Sequence, residues 1–417
     1  MNVRTNKAQA GPDRARCTAL AGSVLLLTLA GAASAGPNEQ AKRIYERLAG
    51  VPPSPAVMTQ LSNAVCGGGC TASTPALPPG DAALLAAAAI ATAPATAPTF
   101  YNVTLKNWVI PWTNRDQTVF APLNDYAATV IGMVRDDVAF NTALSADLVY
   151  TVNAAGLPAP SNASNAHYAT AEANGVDLSS ALKSATQSAT YGTPSAATAG
   201  LITTYGAQSA FFINGTNRAM FRFTMINHFC NDMQTLMDTT RPTDRIRQDV
   251  ARSPGGDSRV FLNNCVGCHS GMDPMAQAFA YYNFNGTAGA VINTGTKEYI
   301  SGQVQPKYLI NATNFPQGFV TPDNSWSNRW RQGVNASMGW SSSLPGSGNG
   351  AKSLGMELES SNAFAQCQVQ KVFQAVCFRA PTAADQATVT QLTNSFKTGG
   401  YKLKQVFQQT AAACPGQ

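Results

Sequence analysis

Charge is scarce in this chain. Asp, Glu, Lys and Arg make up 12% of its 417 residues, about half the usual share. Ala, Ser, Thr, Asn and Gln fill the gap, which predicts a polar but weakly charged surface of the kind common in exported proteins. The formal net charge is +6, and half of it sits in the first 35 residues. There Arg4, Lys7, Arg14 and Arg16 face only Asp13, which leaves +3 for the remainder. So small a surplus argues against a nucleic-acid partner and against an anionic membrane surface. Long apolar runs are lacking too. The best candidate beyond the N-terminus, Ala82–Ala93, is short and Ala-rich and follows Asp81, a residue suited to an N-cap, so it reads as a helix rather than a membrane span. No period of repeat-protein length appears, which excludes a solenoid.

The N-terminus reads as a secretory signal over residues 1–35. A basic stretch precedes the apolar run Ala21–Ala30, and Ala33-Ser34-Ala35 forms an A-x-A cleavage site before Gly36. This predicts export to the periplasm or an extracytoplasmic surface, with no membrane span after cleavage. Cys17 precedes the apolar run and is no lipoprotein anchor. Eight of the nine cysteines then remain, in a compartment that favours disulfides. A local Cys66–Cys70 bridge is expected across the CGGGC loop. Neither His nor a carboxylate stands near that loop, which weighs against a metal or redox site there. Cys414 is expected to close onto the helix that carries Cys367 and Cys377. Those two lie ten residues apart on one helix, roughly 15 Å, too far to bridge each other.

Helical periodicity dominates the rest. Helices are expected at Asn38–Leu48, within 118–146, at Thr216–Met237, from Asp273-Pro274 through Tyr282, at Ser353–Phe378 with a break near Ser360, at Ala383–Lys397 and at Lys402–Ala413. Asp147–Tyr150 reads as a short extended piece. Residues 66–100, 152–200 and 290–350 read as loop-rich. The expected fold is mainly α, with a larger, loop-rich all-α architecture around the site. Residues 36–240 would form an N-terminal helical domain, and residues 241–417 a second domain holding the site described next.

That site is Cys265-Val266-Gly267-Cys268-His269. With nine Cys and three His in 417 residues, C-x-x-C-H would arise by chance in about one such chain in 700. Two thiols three positions apart match the two vinyl groups of one porphyrin, and the adjacent His lies under the iron. The motif therefore predicts one covalent haem c per chain, with His269 as an axial iron ligand, and a helical cytochrome c-like haem domain embedded in the larger, loop-rich all-α architecture. Zinc would need a second ligand pair at similar spacing, and none exists. A thioredoxin-like pair would need a strand–helix context, which Asn263-Asn264 does not supply.

The iron's other face is open to several residues. Met272 and Met275 follow His269 too closely to reach it. Met356, downstream of the motif, is the expected second ligand, and His228 is the alternative, although it sits beside Phe229 on an apolar helix and reads more readily as a core or interface histidine. Met338 is a further option, and His167 reads as a loop histidine. A Met ligand suits electron transfer, whereas an open site suits small-molecule chemistry. Arg241, Arg245, Arg247, Arg252 and Arg259 could pair with haem propionates, dock a partner or form ordinary salt bridges. Trp326, Trp330 and Trp340 could wall a haem or pack a core.

Cys265–Phe284 (CVGCHSGMDPMAQAFAYYNF) resembles the CxxCH–DP segment of the planctomycete-type cytochrome c-like proteins. Ala146–Tyr150 resembles an upstream element of that group. Ala363–Ala380 and Thr393–Lys404 resemble its C-terminal helices, with Phe378-Arg379 where the group usually has Gly-Arg. The resemblance implies an exported monohaem protein of poorly defined activity. Together with the motif it gives two expected functions. One is a cytochrome passing single electrons between redox partner proteins. The other is a peroxidase- or oxygenase-like haem enzyme, although a dihaem peroxidase would need a second motif.

Overall fold

Short polar side chains decide where many of the helices begin. Ser54 accepts a hydrogen bond from Val57 N, Asp81 from Ala83 N, Asn124 from Ala127 N and Ser361 from Phe364 N. Each satisfies a backbone donor that the first helical turn leaves without a partner. A computed structural model describes residues 35–414, apart from 72, 290–292 and 314. The secretory signal therefore lies outside the described residues. Among those described, 16 α-helices account for most of the 52% helical content, with 7% in strands. No described helix is long and apolar enough to cross a membrane.

The architecture is mainly helical rather than all-α. Among the described residues, six strands form three separate two-stranded antiparallel sheets. Val149–Val152 covers part of the expected extended piece, but its partner Leu182–Ala185 comes from a stretch that reads as loop. Tyr282–Thr287 pairs with Thr294–Tyr299 where the end of a helix and a loop were expected. Here Tyr282 and Phe284 are buried while Asn283 is half-buried and Asn285 exposed, an alternation that suits a strand and not a helix. The expected Thr216–Met237 helix is shorter. It spans Arg218–Phe229 and ends where Cys230 turns left-handed, at φ 56°.

One hydrophobic cluster runs from Ala41 to Cys414, and a small second one joins Ile246, Val250, Phe261 and Val266. The C-terminal helix Leu403–Ala413 packs on Ala82–Ile90 and Pro37–Ala49. Ala35–Gln417 form one compact unit, with contacts running freely across position 240. Three disulfides tie it. Cys66–Cys70 closes the glycine loop. Cys377–Cys414 joins the Asn362–Cys377 helix to the chain's end, and Cys230–Cys367 spans 137 residues. The break near Ser360 is present, dividing Gly350–Glu359 from Asn362–Cys377.

Glu359 lies at that break, 4% exposed. Burial pushes its carboxyl up to about 8, against hydrogen bonds from Ser145 Oγ and Leu144 N. The folded protein therefore holds a proton that the unfolded chain releases above about 4.5. Its contribution to stability is complete below pH 4.5 and falls as pH rises towards 8, by at most about 1.4 kcal/mol per pH unit. Urea unfolding at pH 5 and pH 7.5 should show Glu359→Gln gaining relative to wild type at the higher pH. A parallel pH dependence in the two proteins would refute this.

Candidate haem-attachment site

The motif occupies a helix start. The Ser258–Asn264 helix ends at Cys265, and a second helix, Val266–Ala276, begins there. The Cys265 carbonyl accepts from Cys268 N at 3.2 Å and from His269 N at 3.0 Å, so the motif forms the first turn. At about 100° per residue, this spacing gathers Cys265, Cys268 and His269 on one side of the helix. Gly267, Ser270 and Gly271 fall on the opposite side. A β-carbon on Gly267 would lie 3.3 Å from Asp238 N, and one on Gly271 would lie 1.9 Å from Trp330 Nε1. Ser270 Oγ donates to the Asp238 carbonyl at 3.1 Å. The back of the helix is thus seated against backbone and a fully buried tryptophan, which directs the Cys/His side outward.

Both motif thiols are unpaired and partly exposed, while the other six cysteines beyond the signal form the three disulfides. They straddle the two hydrophobic clusters, Cys268 against the large one and Cys265 against the small one. Cys268 Sγ donates to the Met233 carbonyl at 3.2 Å. Burial, with Cys265 and Asp232 adding to it, pushes this thiol up, so it stays protonated.

His269 Nδ1 lies 3.2 Å from both carboxylate oxygens of Asp273, one helical turn on. A carboxylate only accepts, so Nδ1 is assigned the proton and Nε2 the free lone pair. Nε2 has no hydrogen-bond partner among the described residues, and the side chain is 18% exposed. Asp273 itself is fully buried. Burial alone would raise its carboxyl, but the Arg218 guanidinium, helped by His269 and Arg247, holds it well below the usual carboxylate range. Arg218 donates Nε to Oδ1 at 2.7 Å and Nη2 to Oδ2 at 3.1 Å, and Arg247 N reaches Oδ2 at 3.3 Å. Arg218 also grips Asp249 at 2.7 and 2.8 Å.

Asp273 departs from the helix start that its sequence context predicts. Asp273-Pro274 reads as a helix start, yet both lie inside a helix already under way. Pro274 deprives the Ser270 carbonyl of its helical donor, and the helix gives way at Gln277 to one 3-10 turn. The recoverable signal was the four-residue spacing from His269, which sets the two side chains on one face.

The candidate second ligands lie elsewhere in the chain. His228 is fully buried among Trp112, Tyr126 and Phe364, with Nε2 2.8 Å from the Tyr126 hydroxyl. Burial, with Lys371 adding to it, pushes its imidazole down to about 3. Met356 is 47% exposed on the Gly350–Glu359 helix, while its neighbours Glu357 and Leu358 face inward. Met338 is buried. His167 is not a solvated loop residue. It is buried, with Nδ1 2.7 Å from the Pro158 carbonyl and Nε2 accepting from Val152 N at 2.9 Å.

The five arginines have internal partners. Arg241 reaches Asp238, Arg245 Gln277, Arg247 Asp249, Arg252 the Val250 carbonyl and Arg259 Asp257. Trp326 and Trp330 pack in the core, and Trp340 is half-buried. Among the described residues no three His, Cys, Asp or Glu side chains converge on a point that could hold a metal ion. The motif therefore offers two thiols and one imidazole nitrogen rather than a closed tetrahedral cage. No family model, curated protein or solved structure matches this chain.

Gly271 tests how the helix is seated. Alanine adds about 1 kcal/mol of helix propensity, but overpacking against a buried tryptophan costs about 1–3 kcal/mol. At 1.9 Å from Trp330 the second effect should win. Gly271→Ala should lose up to about 2 kcal/mol in urea unfolding, and a gain in stability would disprove this packing.

Proposed function

We propose that this chain is an exported monohaem c-type cytochrome-like protein that passes single electrons between redox partners. Cys265 and Cys268 would hold one haem through thioethers, each S–H adding across one vinyl group so that sulfur bonds one carbon and hydrogen the other. His269 would ligate the iron through Nε2. A bound haem supplies a one-electron couple, and the protein sets its potential through the axial ligands, their hydrogen bonds and burial. The observation that carries this reading is the gathering of two unpaired thiols and an imidazole, whose Nε2 has no hydrogen-bond partner among the described residues, on one partly exposed helix face. The disulfides support an oxidising compartment, consistent with export.

Met356 would be the second residue to ligate a bound haem iron, with His228 the alternative. His228 commits Nε2 to Tyr126 inside an aromatic cage. That engagement favours a second reading, a haem enzyme with an open or weakly ligated iron.

Expression with haem-attachment machinery separates these readings. Wild type should keep haem on a denaturing gel, and Cys265→Ser/Cys268→Ser should lose it. A wild-type band without haem overturns the proposal. A low-spin spectrum unchanged by carbon monoxide supports electron transfer, whereas high-spin iron that binds it supports the enzyme. Met356→Ala should alter the low-spin spectrum. A change with His228→Ala instead moves the ligand there.

A further inference from the structure

We infer that Asp273 is a positioning residue for His269, holding the imidazole ring by Nδ1 and lowering the reduction potential of an iron bound at Nε2. The inference rests on the haem reading above and adds to it which residue tunes the ligand.

Four features of the chain support this role. The carboxylate meets the ring with both oxygens at 3.2 Å, so the contact is centred on the nitrogen rather than grazing it. The side chain is wholly buried, so water cannot screen the charge or substitute for it. The charge is kept in place by donors on two other segments, the Arg218 side chain and the Arg247 backbone. Arg218 cannot swing away, because its remaining hydrogens go to Asp249 and to Thr216 Oγ1. A salt bridge that served only to join helices would need Arg218 and Asp273 alone. The ring contact is additional, and it settles which nitrogen is left for a metal.

The chemical consequence follows from charge. A hydrogen bond from a ligand imidazole to a carboxylate raises the electron-donating power of the other nitrogen more than one to a neutral carbonyl does. A stronger donor favours the more highly charged ferric iron over ferrous. Asp273 and Asp249 stand against Arg218 and Arg247, so the four charged groups sum to zero and no surplus of arginine charge faces the ring.

The test uses the full-length haem-loaded protein. Redox titration of wild type, Asp273→Asn and Asp273→Glu is combined with haem staining of the same samples. Asp273→Asn should shift the ferrous-to-ferric ratio at fixed ambient potential at least tenfold towards ferrous, a rise of about 59 mV for one electron. Asp273→Glu, which keeps the charge, should restore most of the wild-type value. A haem-loaded Asp273→Asn protein with unchanged potential overturns the role of Asp273 and leaves the haem reading intact. Wild type without covalent haem overturns both. If Asp273→Asn does not fold, ¹⁵N-histidine NMR of ferrous wild type decides. A downfield, slowly exchanging Nδ1 proton on His269 is expected, and its absence overturns the assignment.

Discussion

Arg218 joins two buried carboxylates, and the placement of the motif helix follows from that junction. Taking Asp273 and Asp249 out of water is costly unless each is paired and hydrogen-bonded. Arg218 satisfies both from the start of the Arg218–Phe229 helix, while Arg247 completes the set from an irregular segment. Three stretches distant in sequence are therefore held at one point. Removing any one partner would strand a buried charge, an error larger than most packing defects. The cluster sets the register between two helices, and with it the position of His269 on the motif helix.

The scarcity of charge in the chain gives this cluster its weight. With so few ionisable groups, most of the interior is held by apolar packing and by polar side chains bonded to backbone. Gln187 spans the Leu148 and Gly200 carbonyls, and Asn217 reaches those of Phe279 and Tyr282. Such contacts stitch loops together without long-range fields. The cysteines add covalent ties where helices meet. The Cys230–Cys367 bridge lies where the Arg218–Phe229 helix turns away, next to the cage around His228.

Features written in local sequence were legible in advance. C-x-x-C-H, the CGGGC bridge, the break near Ser360 and the mainly helical class each need only a few neighbouring residues. The Cys414 bridge to the helix of Cys367 and Cys377 is also legible, because those two cannot bridge each other. Long-range features were not legible. Nothing near Val149 announces Leu182 as a strand partner, and nothing near Cys230 announces Cys367. Asp273 misled for a different reason. Asp before Pro is a sound helix-start signal, but this carboxylate is committed to His269, at a spacing the sequence contains, and to Arg218, which only the assembled structure brings near. Phe378 shows the converse. It adopts φ 57° at a helix C-cap, a glycine-like conformation at the position where the resembled group usually has glycine.

The contact between His269 and Asp273 also bears on how any ligand would meet this protein. A free imidazole turns about two side-chain bonds, and capturing it costs conformational entropy on binding. Here folding has already selected the rotamer and the tautomer. The orientation of Nε2 is thus a property of the native state rather than of the complex. A ligand arriving at that nitrogen meets a preorganised donor, and its affinity is spared the cost of aligning the ring.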